Sequence, residues 1–133
     1  MPRLALFGTC LLLLVGLVFA FVRWNSPTLL ETAETSLAIG DNEAAIHALR
    51  TYLVRNPGAN DVRMKLASLT AASNPPEALD QWRLIPAENA HHVDALRQIA
   101  LLCLQTGRDD EAENALLALE VAAPDDFAVQ LSL

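Results

Sequence analysis

The sequence predicts an all-α protein in which one apolar N-terminal helix precedes an array of short paired helices. Apolar residues recur three and four positions apart along the chain after residue 26, as in Leu96, Ile99, Ala100 and Cys103. This spacing is typical of amphipathic helices. Clusters of Gly, Pro, Asn and Asp, such as Asn56-Pro57-Gly58, separate the periodic runs. No stretch alternates apolar and β-branched residues with polar ones over the length of a strand, so we expect no β-strand.

The first element is the uncharged segment 4–22, LALFGTCLLLLVGLVFAFV, which is bounded by Arg3 and Arg23. Its 19 residues would reach about 28 Å as a helix, which is close to the hydrocarbon thickness of a bilayer. Arg23 and Trp24 form a suitable interfacial anchor. The segment therefore predicts a single-pass membrane helix. Arg3 and the α-amine favour an N-terminus inside and a repeat body on the extracytoplasmic, periplasmic side.

A cleaved signal peptide is the alternative for this segment. Val18-Phe19-Ala20 fits the small-x-small pattern for cleavage after Ala20. The apolar run continues through Phe21 and Val22, however, which makes it longer than the usual apolar core of a signal peptide. Residues 1–25 are thus a membrane anchor or a signal peptide, and residues 26–133 are a separate helical domain.

The clusters of Gly, Pro, Asn and Asp divide the remaining chain into six predicted helices. We place them at 28–39, 42–55, 60–72, 76–85, 92–106 and 109–122, and a further helix begins near Asp126. The acidic run Asp109-Asp110-Glu111 suits a helix N-terminus, where the helix dipole favours negative charge. Pro86 should end the fourth helix near Ile85, because an internal proline removes a backbone hydrogen bond. Residues 87–92 would then form an irregular bridge.

The helices repeat as pairs. Gly40-Asp41-Asn42-Glu43-Ala44-Ala45 aligns with Gly107-Arg108-Asp109-Asp110-Glu111-Ala112, and the same offset of 67 residues places Pro57 over Pro124. Half of that offset is close to the 34-residue unit of two antiparallel helices. The stretch 26–126 therefore resembles three tetratricopeptide repeats (TPR), in units 26–58, 59–92 and 93–126. This resemblance implies an α-solenoid of about three helix-turn-helix repeats.

Particular residues carry the resemblance. The small residues that allow the two helices of a unit to approach closely are Ala45, Ala78 and Ala112. Larger apolar residues follow one turn later at Leu49, Trp82 and Leu116, and we expect Trp82 in the core. The middle unit departs from the pattern, because it lacks the closing proline and Pro86 interrupts its second helix.

Composition and motifs disfavour several classes of function. Without its first 25 residues the chain has 7 basic and 16 acidic residues, a net charge near −9, so nucleic acid and anionic lipid surfaces are poor partners. The sequence has no phosphate-binding loop and no common protease, hydrolase or redox motif. We therefore expect no enzyme activity, no metal and no cofactor. On a helix, His91 and His92 would point about 100° apart, which disfavours a metal pair.

The resemblance also implies a concave groove lined by the first helix of each unit. Position 5 of the unit faces this groove in the family, and here it holds Leu30, Arg63 and Arg97. TPR clamps use basic residues there to hold a carboxylate, so Arg63 and Arg97 are candidate partner-binding residues. The asparagines of such clamps are missing, and Arg63 could instead pair with Asp61 or Glu34 at the surface. The apolar groove candidates are Leu30, Leu37, Leu101 and Leu104.

These features predict a membrane-tethered TPR adaptor or scaffold that binds a protein or peptide partner through its groove. Anchored bacterial TPR proteins assist export, envelope assembly or cytochrome maturation, and the sequence does not select among these roles. One alternative is the N-terminal part of a longer TPR protein with a catalytic domain beyond residue 133, because 127–133 resembles the start of another unit. The other is a cleaved, secreted or periplasmic TPR protein.

Overall fold

The computed structural model describes residues 28–124, which form helices and turns without a strand. The six helices are α1 (Leu29–Ala38), α2 (Asn42–Arg55), α3 (Asn60–Thr70), α4 (Pro75–Arg83), α5 (His92–Gln105) and α6 (Asp109–Ala122). The predicted all-α class is confirmed for these residues, and their arrangement is compatible with an α-solenoid. Within 28–124 no helix combines the length and apolarity needed to cross a bilayer. The predicted anchor at 4–22, the cleavage position and the helix near Asp126 lie outside the described residues.

Local side-chain chemistry sets several helix starts. At α1 the Thr28 hydroxyl accepts from the Glu31 N–H at 3.2 Å, while the Glu31 carboxylate accepts from the Thr28 N–H at 2.8 Å. The Asp41 carboxylate accepts from the Ala44 N–H at 3.0 Å at the start of α2. These bonds satisfy N–H groups that have no partner within the helix. Gly40, just before Asp41, has a φ of 80°, a conformation that lets the preceding helix end without a Cβ clash.

Each helix packs against the next helix along the chain, and two clusters of buried apolar side chains result. The first cluster lies among α1, α2 and α3, and consists of Ala33, Ile46, Ala48, Leu49, Leu53, Val62 and Leu66. The second cluster extends from α3 to α6 and contains Trp82 and Cys103, both buried. This confirms the predicted core position of Trp82. Helix α3 contributes Leu66 to the first cluster and Ala67 to the second, so it joins the two halves of the core.

Small buried residues determine how closely the paired helices approach. In the second helices Ala45, Ala78 and Ala112 are all buried, as predicted, and in the first helices Ala33, Ala67 and Ala100 are buried as well. Twelve positions separate Ala33 from Ala45 and Ala100 from Ala112, but eleven separate Ala67 from Ala78. The middle pair is therefore one residue shorter than its neighbours. If the three pairs are aligned on the buried alanines of their second helices, the buried alanine of α3 lies one residue later than those of α1 and α5.

Ion pairs connect alternate helices along one side of the array. The Arg50 guanidinium of α2 donates to the Glu77 carboxylate of α4 at 2.7 and 2.6 Å, and Arg83 of α4 donates to Glu111 of α6. Each arginine lies five residues after the buried alanine of its helix, and each glutamate lies one residue before it. The two pairs are thus the same contact repeated one unit later. Exposed pairs of this kind contribute little to stability, so they orient the helices more than they stabilise them.

The middle pair of helices ends early, as Pro86 predicts. Helix α4 stops at Arg83, and residues 84–91 form turns before α5 begins. Within this bridge the Asn89 N–H donates to the Pro86 carbonyl at 3.0 Å. Ile85 is buried, and His92 Nδ1 lies 3.2 Å from its carbonyl oxygen. The bridge is therefore fixed at its two ends, while residues 86–88 are exposed.

Candidate functional site

One face of the array is formed by equivalent positions of α1, α3 and α5. In each helix these positions lie three residues before, one residue after and four residues after the buried alanine, which is Ala33, Ala67 or Ala100. This spacing places them on one side of the helix. We call this set the first-helix face; it consists of Leu30, Glu34, Leu37, Met64, Ser68, Ala71, Arg97, Leu101 and Leu104. Lys65 Nζ of α3 lies 4.0 Å from Glu34 Oε1 of α1, so α1 and α3 are neighbours at this face.

The first-helix face is most exposed on α5, where it carries two leucines. Leu101 is 49% exposed and Leu104 is 54% exposed. On α1, Leu30 and Leu37 are half-buried, and Leu30 packs against the first core cluster. Exposed apolar side chains that are neighbours on one helix are candidates for contact with a partner. All four leucines predicted for the groove therefore occupy equivalent register positions of α1 and α5, and the two on α5 are the more exposed.

Arg97 is the charged residue of this face on α5. Its Nη1 donates to Asp94 Oδ1 at 2.5 Å, one turn earlier in the helix, and the Arg97 side chain is about one-third exposed. An exposed pair of this type is weak. By its register Arg97 lies one turn before Leu101. Its predicted contact with a partner stays a prediction.

Arg63 does not lie on the first-helix face, so the expected equivalence of Arg63 and Arg97 does not hold. Only 8% of Arg63 is exposed. Its Nη1 donates to Gln81 Oε1 at 2.8 Å and its Nη2 donates to the Pro57 carbonyl at 2.6 Å. The shorter middle pair explains the difference, because Arg63 precedes Ala67 by four residues, as Leu96 precedes Ala100. Met64 takes the position that corresponds to Arg97.

Other groups with potential reactivity have structural surroundings. Cys103 is fully buried, and burial, followed by the nearby Glu111 carboxylate, raises the pKa of its thiol. His92 contacts the Ile85 carbonyl through its ring, and the His91 N–H donates to Asn89 Oδ1 at 2.9 Å. Across the part of the chain that the structure describes, no three His, Cys, Asp or Glu side chains are grouped so that they could hold a metal ion.

A second apolar surface lies at the end of the described array. On α6, Leu117 is 54% exposed and Val121 is 85% exposed. Together with Ala87 and Val93 they line an open pocket of about 600 Å³. Leu117 occupies the position that Arg50 holds in α2 and Arg83 holds in α4. The arginine series along the second helices therefore changes to an apolar residue in α6.

Two residues that were not predicted from the sequence take part in these arrangements. Met64 belongs to the first-helix face, and Gln81 is the side-chain partner of Arg63. The signal for Met64 is present in the sequence, because aligning Ala33, Ala67 and Ala100 moves α3 by one residue. Nothing in the sequence pairs Gln81 with Arg63, since they lie on different helices.

Comparison with known proteins does not extend this description. No protein-family model, curated protein or solved structure matches the chain.

Proposed function

We propose that the protein is a membrane-tethered, TPR-like scaffold that binds a protein or peptide partner through its first-helix face. The observation that carries this proposal is the exposure of Leu101 and Leu104, neighbours on α5 with about half of each side chain in contact with water. Covering apolar surface of this kind is the main favourable contribution to most protein association. A partner that contributes apolar side chains of its own would remove both leucines from water.

The chemistry of the face indicates what the partner presents. Burying one leucine completely contributes about 1.5–3 kcal/mol, and half-buried Leu30 and Leu37 extend the apolar surface to α1. The net charge near −9 after residue 25 repels acidic partners in general. Arg97 lies one turn before Leu101 on this face. We therefore propose a partner segment that is apolar and has no net negative charge.

The proposed tether is the uncharged segment 4–22 between Arg3 and Arg23. We expect alkaline carbonate extraction to leave the protein in the membrane pellet with the mass of the full chain. A soluble form that begins at Phe21 would contradict a retained anchor and support the signal peptide. Protease added to intact spheroplasts should degrade residues 26–133 if the repeat body is periplasmic.

Site-specific photo-crosslinking in the native membrane tests the binding face. A photoreactive residue at position 101 or 104 should crosslink to a defined partner. A matched probe at position 84 should not, because Leu84 is similarly exposed, at 60%, but follows the second helix α4. Equal crosslinking of the same partner from 84 and from 101 would contradict the assignment of the face.

Charged substitutions at the same positions provide the second test. The double variant Leu101→Glu with Leu104→Glu should lose the crosslinked partner, since it places two carboxylates in a surface that must be desolvated. The control Leu84→Glu should retain the partner. Both variants should keep the helicity of the unmodified protein by circular dichroism, because all three side chains are exposed. Retention of the partner by the double variant would contradict the proposal that the partner binds to the first-helix face.

A continuing array is the second candidate, and the exposed surface of Leu117 and Val121 favours it. In stacked repeat proteins the apolar side of one unit is covered by the next unit. The protein would then be the N-terminal part of a longer TPR protein, which is the alternative predicted from the sequence. A longer product of the same reading frame, detected by mass in the native membrane, would support this candidate, and a mass matching residues 1–133 would contradict it.

A further inference from the structure

Arg63 is a buried cation whose hydrogen-bond acceptors are both neutral. Its acceptors are the amide oxygen of Gln81 and the backbone carbonyl of Pro57. Among the described residues no carboxylate forms an ion pair with it, and its buried Nε–H has no hydrogen-bond partner. Burial lowers the pKa of Arg63 below its usual value, yet a guanidinium stays charged in proteins. A buried charge is costly unless it is paired, so an anion would stabilise this site.

A pocket of about 260 Å³ opens beside this guanidinium. It is lined by Arg50, Leu53, Val54, Arg63, Leu66 and Gln81. These residues come from α2, α3 and α4, so the pocket lies on the side of the second helices and away from Leu101 and Leu104. Its lining combines two guanidinium groups with three branched apolar side chains. Gln81 directs its oxygen to Arg63, which leaves its amide nitrogen as a further donor at the pocket.

We propose that this pocket is a binding site for a small organic carboxylate that carries a branched apolar group. The carboxylate would accept hydrogen bonds from Arg63 and Arg50, since guanidinium groups and carboxylates form strong charge-assisted bonds. The apolar group would contact the exposed side chain of Val54, with the buried Leu53 and Leu66 behind it. This inference does not depend on the proposed partner surface, because the two sites share no residue.

The charges around the pocket leave room for one negative ligand. Arg50 is bound by Glu77, which is also held by the Asn74 amide at 3.1 Å. Glu43 is a second carboxylate near Arg50, so Arg50 is compensated by acidic neighbours and Arg63 is the cation of the pocket that is not. A monoanion would neutralise it, whereas a dianion such as phosphate would add an excess negative charge near Glu77. This favours a carboxylate over a phosphate, and the apolar lining favours a branched tail over acetate.

A titration of the full-length protein in detergent micelles tests the proposal. N-acetyl-leucine is the probe, and N-acetyl-leucinamide is the matched control without charge. We expect the carboxylate to shift the NMR signals of the Arg63 Nε–H and of the Leu53 and Leu66 methyl groups in a saturable manner. The amide should bind at least about tenfold more weakly, because it cannot form the charge-assisted bonds. Equal curves for acid and amide, or no saturable shift with the acid, would overturn the proposal.

Two further ligands and three variants complete the experiment. Acetate should bind more weakly than N-acetyl-leucine, and tighter binding of inorganic phosphate would overturn the assignment to a carboxylate. Arg50→Gln should weaken the binding of N-acetyl-leucine by about tenfold, while Arg108→Gln, just before α6 and outside both proposed sites, should leave it unchanged. Arg63→Met should abolish the binding of N-acetyl-leucine. If this variant does not fold, the comparison of N-acetyl-leucine with N-acetyl-leucinamide and the affinity of Arg50→Gln still test the proposal. Unchanged affinity in Arg50→Gln would contradict the proposed site.

Discussion

Substitution of Ala112 by leucine is a direct test of how the two helices of the last pair approach each other. Ala112 is 1% exposed and lies on α6 where that helix packs against α5. The surrounding buried residues Ala100, Cys103 and Ala115 are also small. The helices therefore approach closely because none of these side chains extends far. Leucine adds three carbon atoms at a position that has no free surface.

The expected loss of stability follows from this environment. Inserting extra carbon atoms into a well-packed core costs about 1–3 kcal/mol through displaced side chains and backbone. Leucine is nearly as good a helix former as alanine, so intrinsic propensity adds little. An array of this size has a urea slope near the lower end of about 1–3 kcal/mol per M. The midpoint of unfolding should therefore fall by roughly 1–3 M.

Urea unfolding of the full-length protein in a mild detergent, followed by circular dichroism, measures this change. Ala118→Leu is the matched control, because Ala118 is on the same helix but exposed. Its unfolding free energy should stay within about 0.5 kcal/mol of the unmodified protein. If Ala112→Leu unfolds at the same urea concentration as Ala118→Leu, the close approach of α5 and α6 at Ala112 is refuted.

Three further predictions concern local stability, pH and accessibility. Backbone hydrogen exchange should be faster at 86–91 than at 95–103, because the bridge has few backbone hydrogen bonds and exposed side chains; slow exchange across the bridge would contradict this. The hydrogen bond from Arg50 lowers the pKa of Glu77 in the folded state. The stabilisation by this hydrogen bond is therefore present above the pKa of about 4.3 that Glu77 has in the unfolded chain. It is lost as the pH falls through the lower pKa that Glu77 has in the folded protein. Urea midpoints measured from pH 7 to 3 should fall more for the unmodified protein than for Glu77→Gln, and parallel curves would refute the link. Cys103 should resist a thiol reagent until the protein unfolds, since it is fully buried with a raised thiol pKa, and rapid labelling of the folded protein would show that this part of the core opens.

The sequence determined the helices of the described region almost completely, because their ends depend on local residues. Two predicted ranges, 42–55 and 109–122, match α2 and α6 at both ends, and the other four differ by one or two residues at their ends. Asp41, Asn74 and Gly40 act through hydrogen bonds and backbone angles within a few positions of themselves. The core positions of Ala45, Ala78 and Ala112 were predictable for a similar reason, because the repeat spacing places them at the same point of each pair.

The tertiary structure decided which face of α3 is buried. A shift of one residue rotates a helical position by about 100°, so it changes Arg63 from a surface residue to a buried one. That shift follows from the spacing of eleven residues between Ala67 and Ala78, which can be interpreted once packing shows that Ala67 is the buried alanine of α3. The pairing of Arg63 with Gln81, and the pocket they form with Arg50, involve three different helices. Helices form from neighbouring residues, whereas a site forms from residues that only the packed array brings together.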